Sequence, residues 1–213
     1  GFTAWYLGAK SVVDNVQMEV TYTNSWYDYD AEAAAATALM DKGCSVISQH
    51  ADSYGAPNAC ETAGVPNVTY NGSTETQCPN TYLAYSKIDW TPYFIYMIQQ
   101  VAKKEAIALD TVGTLTSGSV IVEVSENAPA GAAEAVNKAK AELIAGTLEV
   151  FNTENFTVKG AKLNEYLADV DTDAEFTPDS QVVIKGAFEE SLYRSAPYFD
   201  VQIDGIAWKN SAF

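Results

Sequence analysis

His50 stands in the run Gln49-His50-Ala51-Asp52-Ser53 and is the only imidazole in 213 residues. An imidazole, a carboxylate and a hydroxyl this close can hold a polar solute. They can also supply parts of a hydrolytic triad, which in this chain has only His50 to use. The run follows a short apolar stretch that reads as a strand. In open α/β sheets the C-terminal strand ends face the ligand crevice. A ligand contact and a histidine satisfied by backbone both fit that position. A single histidine excludes metal centres built from several histidines. The sequence contains no GxSxG, Walker or GxGxxG pattern. Asp169, Asp171, Asp173 and Glu175 begin like a calcium loop, but Ala174 and Ser180 stand where that loop needs Gly and Glu. A solvated acidic loop is the plainer reading, and no metal or cofactor is expected.

Other candidate groups are aromatic. Tyr6, Tyr22, Trp26, Tyr70, Tyr85, Trp90 and Tyr93 fall near expected strand ends and helix starts. A planar ligand stacks on such rings, although most aromatics are core and only two or three of these are expected to touch ligand. Cys44, Cys60 and Cys78 form no CxxC pair. Cys44 reads as a small buried hydrophobe, and Cys60 can pair with Cys78 only if their loops meet.

These groups must be carried by a folded chain. Hydrophobic residues make up 47% and charged residues 19%, a globular composition. Lys and Arg number 12 against 28 Asp and Glu, for a net charge of -16. That surface repels phosphate backbones and anionic lipid, so nucleic-acid binding is not expected. No apolar run reaches the ~18–20 residues that span a bilayer. A helical pattern is already under way at Phe2, so the chain is expected to start inside a larger structure.

The pattern alternates strand and helix. Strands are expected at 16–23, 45–48, 66–70, 120–124 and 148–151, and Thr81 opens a further apolar run through Tyr85. Helices are expected at 2–13, 31–42 (capped by Asp28 or Asp30), 54–63 (closed by Gly64), 92–109 and 132–145. Such βα alternation predicts a parallel sheet with covering helices. After Asn152 the chain turns irregular, with short aromatic pieces from Tyr193 to Trp208 that are expected to pack on the main body.

Several segments together resemble one family. The opening GFTAWYLGAKSV looks like its "GF..Gak.v" helix. TNSWYDYDAEAAAATALMDKGCSVISQHADSYG looks like its "gSW.D...a..aA..l...GaDvi.qh.Ds.g" stretch. AYSKIDWTPYF looks like "S...nWgpyy", and GSVIVEV with AELIAGTLEVF resembles two later elements. The family is the basic membrane protein (BMP) lipoproteins, which include purine-nucleoside receptors. The likeness runs from Gly1 to about Phe151.

The resemblance implies a type I periplasmic-binding-protein-like α/β fold. Its parallel sheets carry helices on both faces, and its two lobes are joined by a hinge. The first lobe would be incomplete here. Residues 1–112 would form most of the second lobe; residues 113–213 would cross the hinge, return to the first lobe and end in a tail. The implied function is capture of a small neutral solute, most readily a purine nucleoside or nucleobase, for an ABC permease, without turnover. Alternatives are a ligand-sensing module for a membrane signalling partner and a nucleoside-cleaving hydrolase. Positions matching the family's ligand segments are His50, Asp52, Ser53, Asn71, Trp90 and Trp26. Asn71 falls where many relatives carry Asp, which weakens a ribose clamp. The resemblance further implies an extracytoplasmic bacterial lipoprotein whose anchor lies outside this chain. A missing first strand would expose a sheet edge and favour self-association.

Overall fold

The computed structural model describes residues 1–170, 174–194 and 198–210. The chain runs α1 (Phe2–Lys10), β1 (Met18–Val20), α2 (Tyr29–Asp41), β2 (Ile47–Gln49), α3 (Gly55–Ala63), β3 (Asn67–Tyr70) and β4 (Tyr82–Ile88). It continues through α4 (Thr91–Lys103), β5 (Val120–Val124) and α5 (Ala132–Ile144). Short strands follow: β6 (Leu167–Ala168), β7 (Ser180–Gln181), β8 (Val183–Ile184), β9 (Ala187–Phe188) and β10 (Ile206–Trp208).

The central sheet has the order β2-β3-β4-β5. Strands β2, β3 and β4 run parallel, as the alternation predicts. Strand β5 departs from it: it pairs antiparallel with β4, Ala84 opposite Val124 and Ile88 opposite Val120. Because the parallel strands point the same way, the segments after Gln49, Tyr70 and Ile88 emerge together at one end. That end positions the site.

Local chemistry explains the helix borders. The Asp28 side chain accepts from Ala31 N–H at 2.9 Å and starts α2. Gly64 takes a left-handed conformation, φ 68°, and stops α3. Helix α4 ends earlier than its apolar pattern suggests. Lys104 turns left-handed (φ 59°), and the chain folds back, with Ala108 N–H donating to Tyr96 Oη at 3.0 Å and Gln100 Nε2 to the Ala106 carbonyl at 2.9 Å. The strand expected at 148–151 is instead irregular. Only isolated pairing remains there, with Phe188 N–H donating to the Phe151 carbonyl at 3.0 Å.

Helices α2 and α3 pack closely. A Cβ on Gly55 would overlap the Tyr29 carbonyl oxygen and stand 3.0 Å from the Ala33 nitrogen. Both neighbours are backbone and cannot swing aside. Gly55→Ala is expected to destabilise the fold by about 1–3 kcal/mol, the range for overpacking. Urea denaturation checks this; an unchanged midpoint would contradict the close approach.

Two cores result. Beneath the sheet, Ala36, Ile47, Ala56 and Cys60 are buried together. The larger core lies between α1 and the tail: Tyr6 and Leu7 pack with Phe151, Phe156, Val182, Phe188, Tyr198, Ile203 and Ile206. The aromatic tail therefore packs on the body. Strand β1 joins this second unit, pairing in parallel with β10. Glu19 on β1 bridges Lys209 at 2.6 Å and Lys42 at 3.5 Å, tying strand, tail and the end of α2 together.

All three cysteines are free thiols. Cys60 and Cys78 are fully buried without a disulfide. Burial first, and the neighbouring Cys78 second, push the Cys60 thiol up to about 12, so it stays protonated. Cys44 is half-buried, not enclosed.

Candidate functional site

Three parallel strands deliver three short loops to one end of the sheet. His50 is the first residue after β2, Tyr70 the last of β3, and Trp90 opens α4 just after β4. His50 and Tyr70 stack, with ring centroids 4.8 Å apart and planes 29° apart. This follows from register: Gln49 pairs with Thr69, so the next residue on each strand meets its neighbour. The imidazole keeps an exposed edge, while Tyr70 covers one face and Gly1 abuts its Cε1 side.

That packing sets the charge of His50. Burial lowers its pKa below the ordinary 6.5. At neutral pH the ring is uncharged, with one nitrogen donating and the other accepting. Protonation is disfavoured in the fold. The stability carried by neutral His50 is therefore complete above the ordinary pKa and is lost as pH falls through the lowered one. An NMR titration of the His50 ring is expected to give a midpoint below 6.5; a midpoint above it would contradict the packing.

Asp52 is exposed, and its N–H donates to the Trp26 carbonyl at 2.7 Å, so the Trp26 loop lies beside the β2 loop. The Trp26 side chain is 76% exposed. Asn71 is also exposed and takes a left-handed conformation, φ 66°. Its Oδ1 accepts from Ile88 N–H at 3.5 Å, holding the turn after β3 against the end of β4. Trp90 is 55% exposed and lies 6.4 Å from both Tyr93 and Phe94. Beside it, Asp89 accepts from Thr91 N–H at 2.9 Å; the Thr91 side chain first, and this N–H second, hold that carboxylate below its usual pKa.

Five of the six residues expected from sequence therefore lie on exposed surface of these loops. Ser53 does not: it is 1% exposed, and its hydroxyl accepts from Gly55 N–H at 3.1 Å. It closes the start of α3. Of the other aromatic candidates, Tyr6 and Tyr85 are core, and Tyr22 packs edge-on against Phe2 and Trp208. Tyr70 is the further aromatic surface at the strand ends. Asp171 and Asp173 of the acidic run lie outside the described residues. Among the described residues, no three His, Cys, Asp or Glu side chains group to hold a metal ion.

Exposed rings and polar groups lie across the ends of parallel strands in an α/β arrangement of the periplasmic-binding-protein-like kind. The fold agrees. An ABC transporter solute-binding protein from Conexibacter woesei superposes with a TM-score of 0.55 at 23% identity, covering 68% of this chain and 49% of that one. The chain belongs to the PnrA-like family of ABC transporter substrate-binding proteins, whose family model matches residues 1–150. A purine-binding protein of Brucella abortus is 35% identical over 95 residues, 45% of this chain and 27% of that protein. A Haloferax volcanii protein whose name proposes an ABC transporter glucose-binding role is 37% identical over 91 residues, 43% of this chain and 23% of its own length. The chain thus spans about a quarter of the length of these curated relatives. The family is a class of extracytoplasmic solute-binding proteins, not a class of enzymes. Among the described residues no helix is long and apolar enough to cross a membrane.

Proposed function

We propose that this chain captures a purine nucleoside or nucleobase for an ABC importer, in a lipid-anchored protein, and releases it unchanged. The observation that carries the reading is the His50–Tyr70 stack at the strand ends, with Trp26 and Trp90 exposed on neighbouring loops. A planar heterocycle gains about 1–3 kcal/mol from each aromatic platform. Neutral His50 and the exposed Asp52 offer hydrogen bonds to ring nitrogens and amino groups. With a net charge of -16 and Arg194 as the sole arginine, the chain favours a neutral solute over a nucleotide. In this reading residues 1–112 belong to the second lobe, and residues 113–213 to the crossing and the tail.

The two curated relatives carry names for different solutes, a purine and glucose, at nearly equal identity. Asn71 helps to choose between base and sugar. Its Oδ1 already faces Ile88 N–H, and an amide accepts hydroxyl protons less strongly than a carboxylate. The base is then the better-recognised part of the ligand.

Calorimetric titration with adenosine, guanosine, inosine, adenine, ribose and glucose tests this, with the ligand recovered and analysed afterwards. The expected result is saturable binding of a base or nucleoside, recovered intact. Saturation by glucose alone would overturn the purine assignment, and recovery of free base and ribose from a nucleoside would overturn capture without turnover.

A further inference from the structure

Glu32 is a carboxylate only 3% exposed, on the first turn of α2 and away from the exposed surface of the site. Its Oε1 accepts two backbone hydrogen bonds, from Asp28 N–H at 3.1 Å and from Ser53 N–H at 3.3 Å. Its Oε2 is buried and makes no hydrogen bond. Asp28 ends the loop that carries Trp26. Ser53 ends the loop that carries His50 and Asp52. One oxygen therefore joins the two loops that present half of the candidate site.

Other bonds converge on the same junction. Asp52 N–H donates to the Trp26 carbonyl at 2.7 Å. The Ser53 carbonyl accepts from Gln49 Nε2 at 3.0 Å, while Gln49 Oε1 is buried without a partner. Burying a carboxylate with a spare oxygen is unfavourable for folding, and an apolar residue would fill the same space more cheaply. Hydrogen bonds to a charged acceptor are stronger than neutral ones, so the arrangement secures the loops at the expense of solvation.

We propose that Glu32 is the positioning residue of the ligand site, holding the Trp26 loop and the His50–Asp52 loop in register without touching the solute. This rests on the site reading above, and its test has an arm that needs no ligand. Amide hydrogen exchange is measured for wild type, Glu32→Leu, Glu32→Asp and Glu32→Gln, alongside adenosine titration. The Asp52 amide is the decisive probe, because its acceptor is the Trp26 carbonyl and not Glu32.

In Glu32→Leu the Asp52 and Ser53 amides are expected to exchange about tenfold faster or more, as the loss of charged-acceptor bonds implies. The Val65 amide, bonded to Cys60 beyond the far end of α3, should keep its protection. Glu32→Gln keeps an acceptor oxygen and should restore the Asp52 amide. Should Glu32→Leu fail to fold, Glu32→Asp, which keeps the charge but is one methylene shorter, takes its place with the same expectation. Where wild type binds adenosine, affinity is expected to fall about tenfold in the same variants and to recover in Glu32→Gln. Unchanged exchange at Asp52 in both Glu32→Leu and Glu32→Asp would overturn the positioning role, as would equal losses at Asp52 and Val65. Absence of adenosine binding in wild type, with Asp52 released as expected, would overturn the purine assignment and leave the positioning role standing.

Discussion

Phe188→Ala is expected to lower the stability of the chain by about 3–5 kcal/mol, the range for removing a buried ring. Phe188 is 2% exposed. Its ring centroid lies 4.5 Å from Phe199, 5.5 Å from Tyr166 and 5.9 Å from Tyr198. Its backbone N–H also bonds the Phe151 carbonyl at 3.0 Å, so neighbours on several tail segments are fixed around it and cannot collapse into the space left. For a chain of this size the loss corresponds to a drop of roughly 6–20 °C in Tm. Phe176→Ala, at an 89% exposed position, serves as the control and should move Tm little. The tail is expected to become protease-sensitive first, because the core under the sheet is built from other residues. A Tm change for Phe188→Ala no larger than that of the control would mean that this aromatic cluster is not what holds the tail to α1.

Tyr70→Ala should act on ligand and leave folding nearly intact. The Tyr70 ring is 41% exposed, and its backbone is fixed by register opposite Ser86 on β4. The stacked His50 backs one face of the ring and limits its swing, so the platform is preformed. Losing one stacking platform costs about 1–3 kcal/mol of binding, roughly a 5- to 150-fold rise in Kd for adenine or adenosine. Tyr193→Ala removes a comparably exposed ring in the tail and should leave Kd unchanged. Calorimetry on both variants decides. Equal affinities for Tyr70→Ala and wild type would remove Tyr70 from the site.

Much of this was legible where the cause is local. A side-chain oxygen at Asp28 before an alanine-rich run starts a helix, and Gly64 after one stops it, because caps depend on a few neighbouring residues. The strand-end position of His50 follows from a short apolar run in front of it. What the sequence hides is set by distant partners. The pairing of β1 with β10 joins residues nearly the whole chain apart. Nothing near Val120 states that β5 runs antiparallel, since its composition suits either direction. The apolar run after Pro92 reads as helix to Leu109, yet Lys104 turns left-handed and Tyr96 and Gln100 hold the returning chain.

The site divides the same way. Asp52 and Trp26 were readable as candidates, but their contact is a backbone bond that needs both loops in place. Ser53 was readable as a polar group after a strand, yet α3 begins two residues later and draws its hydroxyl inward. Glu32 gave no signal, because a glutamate early in a helix looks like an ordinary partner for the helix dipole. Only the packing of α3 on α2 encloses it.

The central claim is that a planar solute is held at the ends of β2, β3 and β4. Backbone and indole N–H NMR shifts recorded during an adenosine titration test it most directly. Saturable shifts are expected at His50, Asp52, Tyr70 and Asn71, and at the indole signals of Trp26 and Trp90. A groove between α2 and α3 is lined by Thr37, Met40 and Thr62, and saturable shifts confined to it, with those signals unmoved, would contradict binding at the strand ends.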